Sequence, residues 1–352
     1  MIKRPFFTEW PFFIVYFWNV NAIHYSFIIP VFNRPEEVEK LLVSLSQLVF
    51  ERDFEVVIIE DGSDLSSEMI CSRFRESLTI NYFYKPNSGP GDSRNFGMRQ
   101  AVGNYFIILD SDCVLPKQYL NNVDAYLSHH YVDCYGGPDA AHDSFSSLQK
   151  AIDYSMTSFL TTGGIRGGSE KLGKFQPRSF NMGLSKKAFQ QTSGFGKMHP
   201  GEDPDLTIRL WQLGFDTLLI KEAYVYHERR ISWKLFYKQV NKFGKVRVIL
   251  NKWHPSTKRI TYWLPTLLCL FFLVAIILSI SGNLLFLSLY LLYFSILFIH
   301  SSIKNGIAIG LRSVFAALIQ FCAYGTGFLK SWIKITILKQ EERTAFPKLF
   351  FK

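Results

Sequence analysis

Tyr105-Phe106-Ile107-Ile108-Leu109-Asp110-Ser111-Asp112 is an apolar run that ends in two carboxylates one residue apart. A buried strand cannot continue through two charges that repel each other and require water, so the chain must leave the sheet here. Asp-x-Asp also occurs often in turns, where its side chains bond to nearby backbone amides. In company with other acidic strand ends, however, two hard oxygen ligands suit a divalent cation that holds a diphosphate.

Two earlier apolar stretches end in polar residues in the same way. Tyr25–Ile29 leads into Pro30-Val31-Phe32-Asn33, and Glu55–Ile59 leads into Glu60-Asp61-Gly62-Ser63. The segment between them has leucines at the spacing of one helix face, and Asn33 with Glu36 predicts a capping box at its start. Alternating strands and helices predict a parallel sheet with right-handed crossovers, whose ligands bind beyond the carboxyl ends of the strands.

Five motifs follow one another between roughly residues 24 and 230. They are Phe27-Ile28-Ile29-Pro30-Val31-Phe32-Asn33, Val57-Ile58-Ile59-Glu60-Asp61-Gly62-Ser63, Asn87-Ser88-Gly89-Pro90-Gly91-Asp92-Ser93-Arg94-Asn95-Phe96-Gly97, the Asp110 and Asp112 pair, and Gly201-Glu202-Asp203. This ordered set resembles the motifs of the family 2 glycosyltransferases. The resemblance implies an α/β GT-A nucleotide-sugar-binding fold with a mostly parallel central sheet, a nucleotide-sugar donor, a divalent metal and inversion at the anomeric carbon.

The resemblance also assigns roles around the donor. Asp112 is expected to bind Mn²⁺ or Mg²⁺, with Asp110 reaching the metal or the ribose, and the ion would stabilise the leaving diphosphate as a Lewis acid. Asp61 is expected to accept a hydrogen bond from the nucleobase even though Glu60 replaces the usual Asp before it. A uridine nucleotide is favoured, while guanine and thymine stay open. The other expected donor-binding residues are Pro30, Phe32, Arg94, Asn95, Asn181, His227 and Arg230.

An inverting transfer needs a base that takes the proton from the attacking acceptor hydroxyl. Glu202 and Asp203 precede the helical pattern Pro204–Trp211. Acids in a first helical turn also stabilise the helix dipole without any catalytic role. The match to the family motif makes Asp203 the expected base, with Glu202 orienting or supporting it.

Each of three further segments has two possible interpretations. The turn Gly89-Pro90-Gly91 either presents backbone amides and Arg94 to the nucleotide or only reverses the chain. His227 and the neighbouring arginines either approach the leaving diphosphate or form a solvated charged cluster. The glycine-rich loop Thr161–Gly168 is either an acceptor-binding lid or a flexible linker.

Net charge and cysteine content limit which partners and which redox compartment the sequence favours. The formal net charge is +10, and residues 229–259 contain ten Lys or Arg and no Asp or Glu. Nucleic acid is one partner for such a run, but the aromatics interleaved at 231–238 and the apolar sequence that follows favour anionic lipid, and we expect no nucleic acid. Five cysteines without Cys-x-x-Cys spacing indicate free thiols in a reducing compartment.

Three hydrophobic stretches predict C-terminal transmembrane helices. They are Leu264–Ser281, Leu284–Ile299 and Ile307–Leu329, the first two close to the minimum length that crosses a bilayer. The positive-inside rule places the basic stretch and the catalytic domain in the cytoplasm, at the inner (plasma) membrane. The last residues are also basic, whereas three full crossings would put them outside. Either the third stretch is interfacial or re-entrant, or the rule is violated.

The expected division of the chain has five parts. Residues 1–23 form a hydrophobic segment that is too short to span and lacks a small-residue cleavage site, which leaves an interfacial anchor or a misassigned start. Residues 24–230 form the catalytic domain, 231–260 a basic amphipathic segment at the membrane interface, 264–333 the membrane helices and 334–352 a basic cytoplasmic tail.

The sequence therefore predicts a membrane-anchored inverting glycosyltransferase that adds a sugar to a lipid-linked or growing glycan. A processive polysaccharide synthase is disfavoured because no Gln-x-x-Arg-Trp run follows the catalytic domain. A non-catalytic scaffold that keeps the nucleotide-sugar fold is the alternative from another class. A degenerate copy should have lost acids, yet Asp61, Asp110, Asp112 and Asp203 are all present.

Overall fold

The structure is a computed structural model that describes residues 23–140, 145–162, 175–227 and 232–351. The N-terminal hydrophobic segment, most of the glycine-rich loop after Thr162, and both Arg229 and Arg230 lie outside these residues. Of His227 only the backbone is described.

The described residues form ten strands in two sheets. They are β1 (Tyr25–Val31), β2 (Glu55–Asp61), β3 (Thr79–Lys85), β4 (Tyr105–Leu109), β5 (Cys113–Val114), β6 (Cys134–Gly136), β7 (Asp139–Ala140), β8 (Asn181–Ser185), β9 (Thr217–Leu219) and β10 (Val225–His227). The large sheet has the order β3-β2-β1-β4-β8-β6-β9, and the small one the order β5-β10-β7. Pairs among β1 to β4 are parallel, whereas β8 runs antiparallel to both β4 and β6. The predicted mostly parallel sheet is confirmed.

Helices cover both faces of the large sheet. In chain order the helices are α1 (Pro35–Ser46), α2 (Glu68–Arg73), α3 (Pro90–Gln100), α4 (Tyr119–His129), α5 (Ser147–Thr157), α6 (Phe159–Thr162), α7 (Lys186–Thr192), α8 (Glu202–Gln212), α9 (Trp233–Trp253), α10 (Leu264–Ile280), α11 (Leu285–Asn305), α12 (Ile307–Trp332) and α13 (Glu342–Ala345). One core lies under α1, α2 and α4, and the other under α3, α7 and α8. Strands buried on both faces explain the near-continuous apolar runs of β1, β2 and β4.

The start of α1 differs from the predicted capping box. The N-cap residue is Arg34, and no side chain caps the helix. Asn33 instead adopts a positive φ of 53°, and its Oδ1 accepts hydrogen bonds from the backbone N–H groups of Asp64 and Leu65. The capping prediction was wrong because a tertiary contact between the ends of β1 and β2 takes the side chain that the local pattern assigned to the helix.

The small sheet brings two distant segments together. In the register of β10 and β5, His227 lies opposite Cys113, the residue after Asp112. The backbone of His227 is therefore placed beside the turn that carries the two aspartates.

Helix α9 joins the catalytic domain to the apolar helices that follow it. It buries Phe236 and Val240 and exposes Lys234 and Lys238, so the helix is amphipathic. Within the described part of the chain, three segments are long and apolar enough to cross a membrane: Ile260–Ile280, Leu285–Asn305 and Ile307–Ile337.

Glycines allow α9 and α12 to approach backbone to backbone. A Cβ at Gly244 of α9 would lie 2.3 Å from the carbonyl oxygen of Tyr324, and one at Gly327 of α12 would lie 2.3 Å from that of Asn241. Any larger residue at either position would force the helices apart. Helix α5 is attached to the apolar helices as well, since the Tyr154 hydroxyl lies 2.6 Å from Nδ1 of His300 on α11.

After α13 the chain returns to the catalytic domain. Phe350 forms a β-bridge with Met198, the His199 N–H donates to the Leu349 carbonyl at 2.7 Å, and the Phe351 N–H donates to the Lys197 carbonyl at 3.1 Å. These bonds place the segment that follows the apolar helices at the same end of those helices as the catalytic domain.

Candidate active site

The carboxyl ends of β1, β2 and β4 gather most of the expected site residues at one edge of the large sheet. Asp61 is the last residue of β2 and is buried. Its Oδ1 accepts bonds from Lys85 Nζ at 2.6 Å and from the Ser88 N–H at 3.0 Å, and its Oδ2 accepts one from the Gly89 N–H at 2.9 Å. Each carboxylate oxygen can accept two bonds, so Oδ2 keeps capacity for a further donor.

Arg94 connects the aspartate turn with the start of α8. The first turns of α3 carry it into the cleft, where its side chain is only 4% exposed. Its guanidinium donates to Asp110 Oδ1 at 2.8 Å and to Glu202 Oε1 at 3.2 Å. Although burial disfavours its charge, Asp110 and Glu202 raise the pKa of Arg94 above its usual value. A buried arginine that loses such partners is costly, so the three side chains fix one another.

Glu202 is held as a carboxylate. It begins α8, and its Oε1 lies 2.8 Å from Nδ1 of His199. Burial would raise its pKa, but the hydrogen bond and charge of His199, together with Arg94, lower the pKa of Glu202 to about 2. Glu202 therefore stays ionised and serves as an anchor for Arg94 and His199.

Asp203 has the opposite electrostatic environment. Burial raises the pKa of Asp203 above its usual value and the charge of Glu202 raises it further, while Arg94, Arg178 and a hydrogen bond with Ser179 oppose the shift. Among the described residues, no hydrogen-bond partner reaches its buried Oδ1. A carboxylate with raised proton affinity and an oxygen without a donor has the properties of a general base.

The aspartate turn fits the expected divalent cation in its ligand chemistry. Asp110 and Asp112 supply hard oxygen atoms one residue apart, and two carboxylates completed by phosphate oxygens are a common Mg²⁺ set. In the structure Asp112 Oδ2 pairs with Arg34 Nη1 at 2.6 Å. No group of three or more His, Cys, Asp or Glu within the described ranges forms a complete metal site, so a diphosphate would have to supply the remaining ligands.

Two expected donor-binding residues have other partners. The Asn95 amide bonds both the N–H and the carbonyl of Phe195, each at 2.8 Å. Asn181 is fully buried, donates to the Ala223 carbonyl at 2.7 Å and accepts from the Tyr119 hydroxyl at 2.6 Å. Both amides thus already have partners within the fold, and donor binding by Asn95 and Asn181 stays a prediction.

Of the remaining expected residues, those that the structure describes lie at the margin of the site. Pro30 pairs with Ile59 inside the sheet, while Phe32 follows β1 and is 50% exposed, which leaves its ring available to a ligand. The backbone of His227 lies beside the aspartate turn, and Arg230 lies outside the described residues.

Sequence reasoning missed four basic side chains that bond to the site's carboxylates or influence them through charge. They are Arg34, Lys85, Arg178 and His199. Only His199 had a local signal, since it lies three residues before Glu202 and two residues before the motif Gly201-Glu202-Asp203. The others reach their partners from distant segments and lie outside any expected motif.

Comparison with known proteins agrees with this arrangement. Residues 26–192 match the sequence profile described as Glycosyl transferase family 2. The poly(ribitol-phosphate) beta-N-acetylglucosaminyltransferase TarS of Staphylococcus aureus is 30% identical over 112 residues, which are 31% of this chain and 20% of that enzyme. The GalNAc(5)-diNAcBac-PP-undecaprenol beta-1,3-glucosyltransferase of Campylobacter jejuni is 25% identical over 197 residues, or 53% of this chain and 59% of that one. The chain thus covers less than two thirds of either relative.

A solved structure extends the comparison to the fold. The mannosyltransferase PcManGT from Pyrobaculum calidifontis, in complex with GDP-Man and Mn²⁺, superimposes with a TM-score of 0.59 over 86% of this chain and 88% of that one, at 14% identity. This likeness concerns the fold alone. Residues 26–192 thus match glycosyl transferase family 2, and the fold is of the GT-A type.

Proposed function

We propose that the protein is a membrane-anchored inverting glycosyltransferase that moves a sugar from a nucleotide-diphosphate sugar to a lipid-linked or growing glycan acceptor. The observation that carries the proposal is the joining of Asp110, Arg94 and Glu202 at one sheet edge, next to Asp203 with its raised pKa. The family match makes glycosyl transfer the reaction class.

The donor side is assigned to the ends of β2 and β4. Asp61 would accept the imide N–H of the base through Oδ2, and the family resemblance favours a UDP-sugar. Asp112 and Asp110 would hold Mn²⁺ or Mg²⁺, which when bound supplies Lewis-acid stabilisation of the leaving nucleoside diphosphate. Arg94 keeps Asp110 oriented for that role.

The transfer step is assigned to Asp203. Its carboxylate takes the proton of the acceptor hydroxyl as that oxygen forms a bond to the anomeric carbon. The bond from this carbon to the diphosphate oxygen breaks on the opposite face, so the configuration inverts and the diphosphate leaves with the bonding electron pair. Glu202, ionised and fixed by His199 and Arg94, holds the start of α8 in place.

The acceptor class is supported by the relatives and by the apolar helices. One relative is named for a poly(ribitol-phosphate) acceptor and the other for an undecaprenol-diphosphate-linked glycan. In this chain α5 and α6 contact α11, through Tyr154 with His300 and through the Tyr293 hydroxyl, which donates to the Leu160 carbonyl at 2.7 Å. These contacts support a position of the catalytic domain next to the proposed membrane, where a lipid-linked acceptor would lie.

We propose two membrane crossings, by α10 and α11, with the catalytic domain and the tail on the cytoplasmic face of the inner membrane. Helix α12 packs along α9 and α5, and the bridge between Phe350 and Met198 supports a topology with both ends of the helical region on one side of the membrane. Of the two alternatives that the sequence left open, this arrangement favours an interfacial third stretch.

Cysteine labelling tests this topology. In a protein with Cys269 and Cys322 replaced by serine, we expect Asn283→Cys, in the exposed turn between α10 and α11, to react with an impermeant reagent added from outside. Thr344→Cys, equally exposed, should react only after the membrane is opened. Labelling of Thr344→Cys in intact cells would contradict the two-crossing topology.

The activity itself is tested with the purified full chain in membrane mimetic. A panel of nucleotide sugars is supplied with Mn²⁺ or Mg²⁺ and a polyprenyl-diphosphate glycan acceptor, and product is followed by mass. We expect one class of nucleotide sugar to give a product one sugar longer, with the Asp203→Asn protein as the background control. Long products of many lengths would favour a processive synthase, and binding without transfer across the whole panel would favour a scaffold.

A further inference from the structure

The segment that follows α13 packs into the catalytic domain. Residues 346–351, called the strap below, are anchored by Phe346 and Leu349, both of which are buried in a cluster with Val246 and Ile249 of α9. The Phe346 ring also lies 5.8 Å from Lys245 Nζ. The strap is therefore fixed to the helix that carries the proposed membrane interface.

The strap bonds along the loop that leads to the proposed base. The His199 N–H donates to the Leu349 carbonyl, and the Phe351 N–H donates to the Lys197 carbonyl. These bonds enclose the isolated β-bridge between Met198 and Phe350, and together they pair the strap with the loop. Because His199 then bonds Glu202, the position of the strap is transmitted to the residue beside Asp203.

The Phe351 ring connects this loop to the proposed nucleotide-binding turn. A Cβ built on Gly89 would lie 2.3 Å from a carbon of the ring, so the ring rests directly on the glycine. The N–H of Gly89 is bonded to Asp61. The ring centroid also lies 6.1 Å from that of His199. One aromatic side chain thus lies between the turn around Asp61 and the loop before Asp203.

We propose that Phe351 is a positioning residue of the transfer reaction, which sets the loop of His199 and Glu202 against the turn at Gly89 and so sets the distance between donor and base. The inference rests on the proposed function. Misplacing a reacting group by about 1 Å can cost about a hundredfold in rate, so a side chain that fixes two loops affects the chemical step without touching the sugar.

Phe351→Ala tests the proposal against Phe350→Ala, which removes the same ring from the adjacent strap residue. The Phe350 ring packs instead near Trp253, with centroids 6.2 Å apart. We expect Phe351→Ala to lower kcat by about tenfold to a hundredfold, with the donor Kd changed less than threefold. Phe351→Tyr should restore most of kcat. Phe350→Ala should lower kcat much less than Phe351→Ala when the two alanine variants have similar Tm values. Equal losses from the two alanine variants, or a loss in donor affinity that accounts for the loss in rate, would overturn the proposal.

A double-variant cycle tests the contact itself. Gly89→Ala should reduce kcat strongly, because the new methyl group meets the Phe351 ring and because the φ of 92° strains any side chain. The backbone strain at position 89 is present with either residue at position 351, whereas the clash requires the Phe351 ring. We therefore expect Gly89→Ala to cost less in the Phe351→Ala background than in the wild type. Additive effects would show that the ring does not rest on the turn in solution.

Hydrogen exchange separates failure of this inference from failure of the proposed function. In Phe351→Ala, amides of residues 197–203 should exchange faster than in the wild type and in Phe350→Ala, whether or not any acceptor is used. If the wild type transfers no sugar but the protection is lost as expected, the glycosyltransferase proposal fails and the positioning contact stands. If protection is unchanged, Phe351 does not position the loop.

Discussion

Asp203→Asn is expected to lower the rate of sugar transfer by roughly two to four powers of ten while donor affinity stays near that of the wild type. The amide keeps the shape of the side chain and can still bond Ser179, but it cannot accept the acceptor proton. Single-turnover rates and nucleotide titration measure the two effects separately.

The matched control is Asp205→Asn, two residues further along α8. Asp205 is buried and occupied by Arg209 at 2.9 Å and by His254 at 2.8 Å. Its amide variant should lower stability, with the rate of the folded protein changed far less than in Asp203→Asn. An equal fall in donor affinity and rate for Asp203→Asn would instead make Asp203 a structural residue, and an unchanged rate would end its role as base.

The dependence of the transfer rate on pH tests the role of Asp203 as base in a second way. Because the pKa of Asp203 is raised, protonation should remove the base at a pH above that of an ordinary aspartate. The rate should therefore fall as the pH is lowered through this raised pKa and be restored as it rises again. The acidic limb that belongs to Asp203 should be missing from the profile of Asp203→Asn.

Asp112→Asn is expected to abolish transfer and to weaken donor binding in Mn²⁺ or Mg²⁺, because a neutral amide is a poor ligand for a hard cation. Nucleotide titration with and without chelator gives a readout that does not need turnover. In the wild type a chelator should weaken donor binding, and in Asp112→Asn it should have little further effect.

Asp64→Asn is the control for this second variant. Asp64 is exposed in the loop that follows β2, near the same sheet edge, so its loss changes the local charge by the same amount. Its activity should stay close to that of the wild type. Full activity of Asp112→Asn, or full activity of the wild type in chelator, would contradict the metal-dependent mechanism.

The sheet was predictable because its strands have strong local signals. Each of β1, β2 and β4 is an apolar run that ends in a polar motif, and burial on both faces requires that pattern. The grouping of Asp61 and Asp110 at one edge followed from the parallel arrangement alone. The helical pattern expected at Pro204–Trp211 is α8, which begins two residues earlier, at Glu202.

The partners of the polar side chains were not predictable in the same way. Asn33, Asn95 and Asn181 each occur in or beside a motif, but each bonds a segment that only the tertiary fold brings near. Arg34 reaches Asp112 across 78 residues of sequence. The strap has no local signal at all, since its short aromatic run resembles any other apolar segment until α9 to α12 have returned the chain to Met198.

The glycine contacts between α9 and α12 have a consequence for which acceptors can be used. Helices that touch backbone to backbone at Gly244 and Gly327 cannot slide or tilt relative to each other without a clash. If α10 and α11 cross the membrane as proposed, a catalytic domain fixed in this way would keep Asp203 at a constant height above the lipid headgroups. Such an enzyme would select an acceptor by the distance of its hydroxyl from the bilayer as well as by the sugar that bears the hydroxyl.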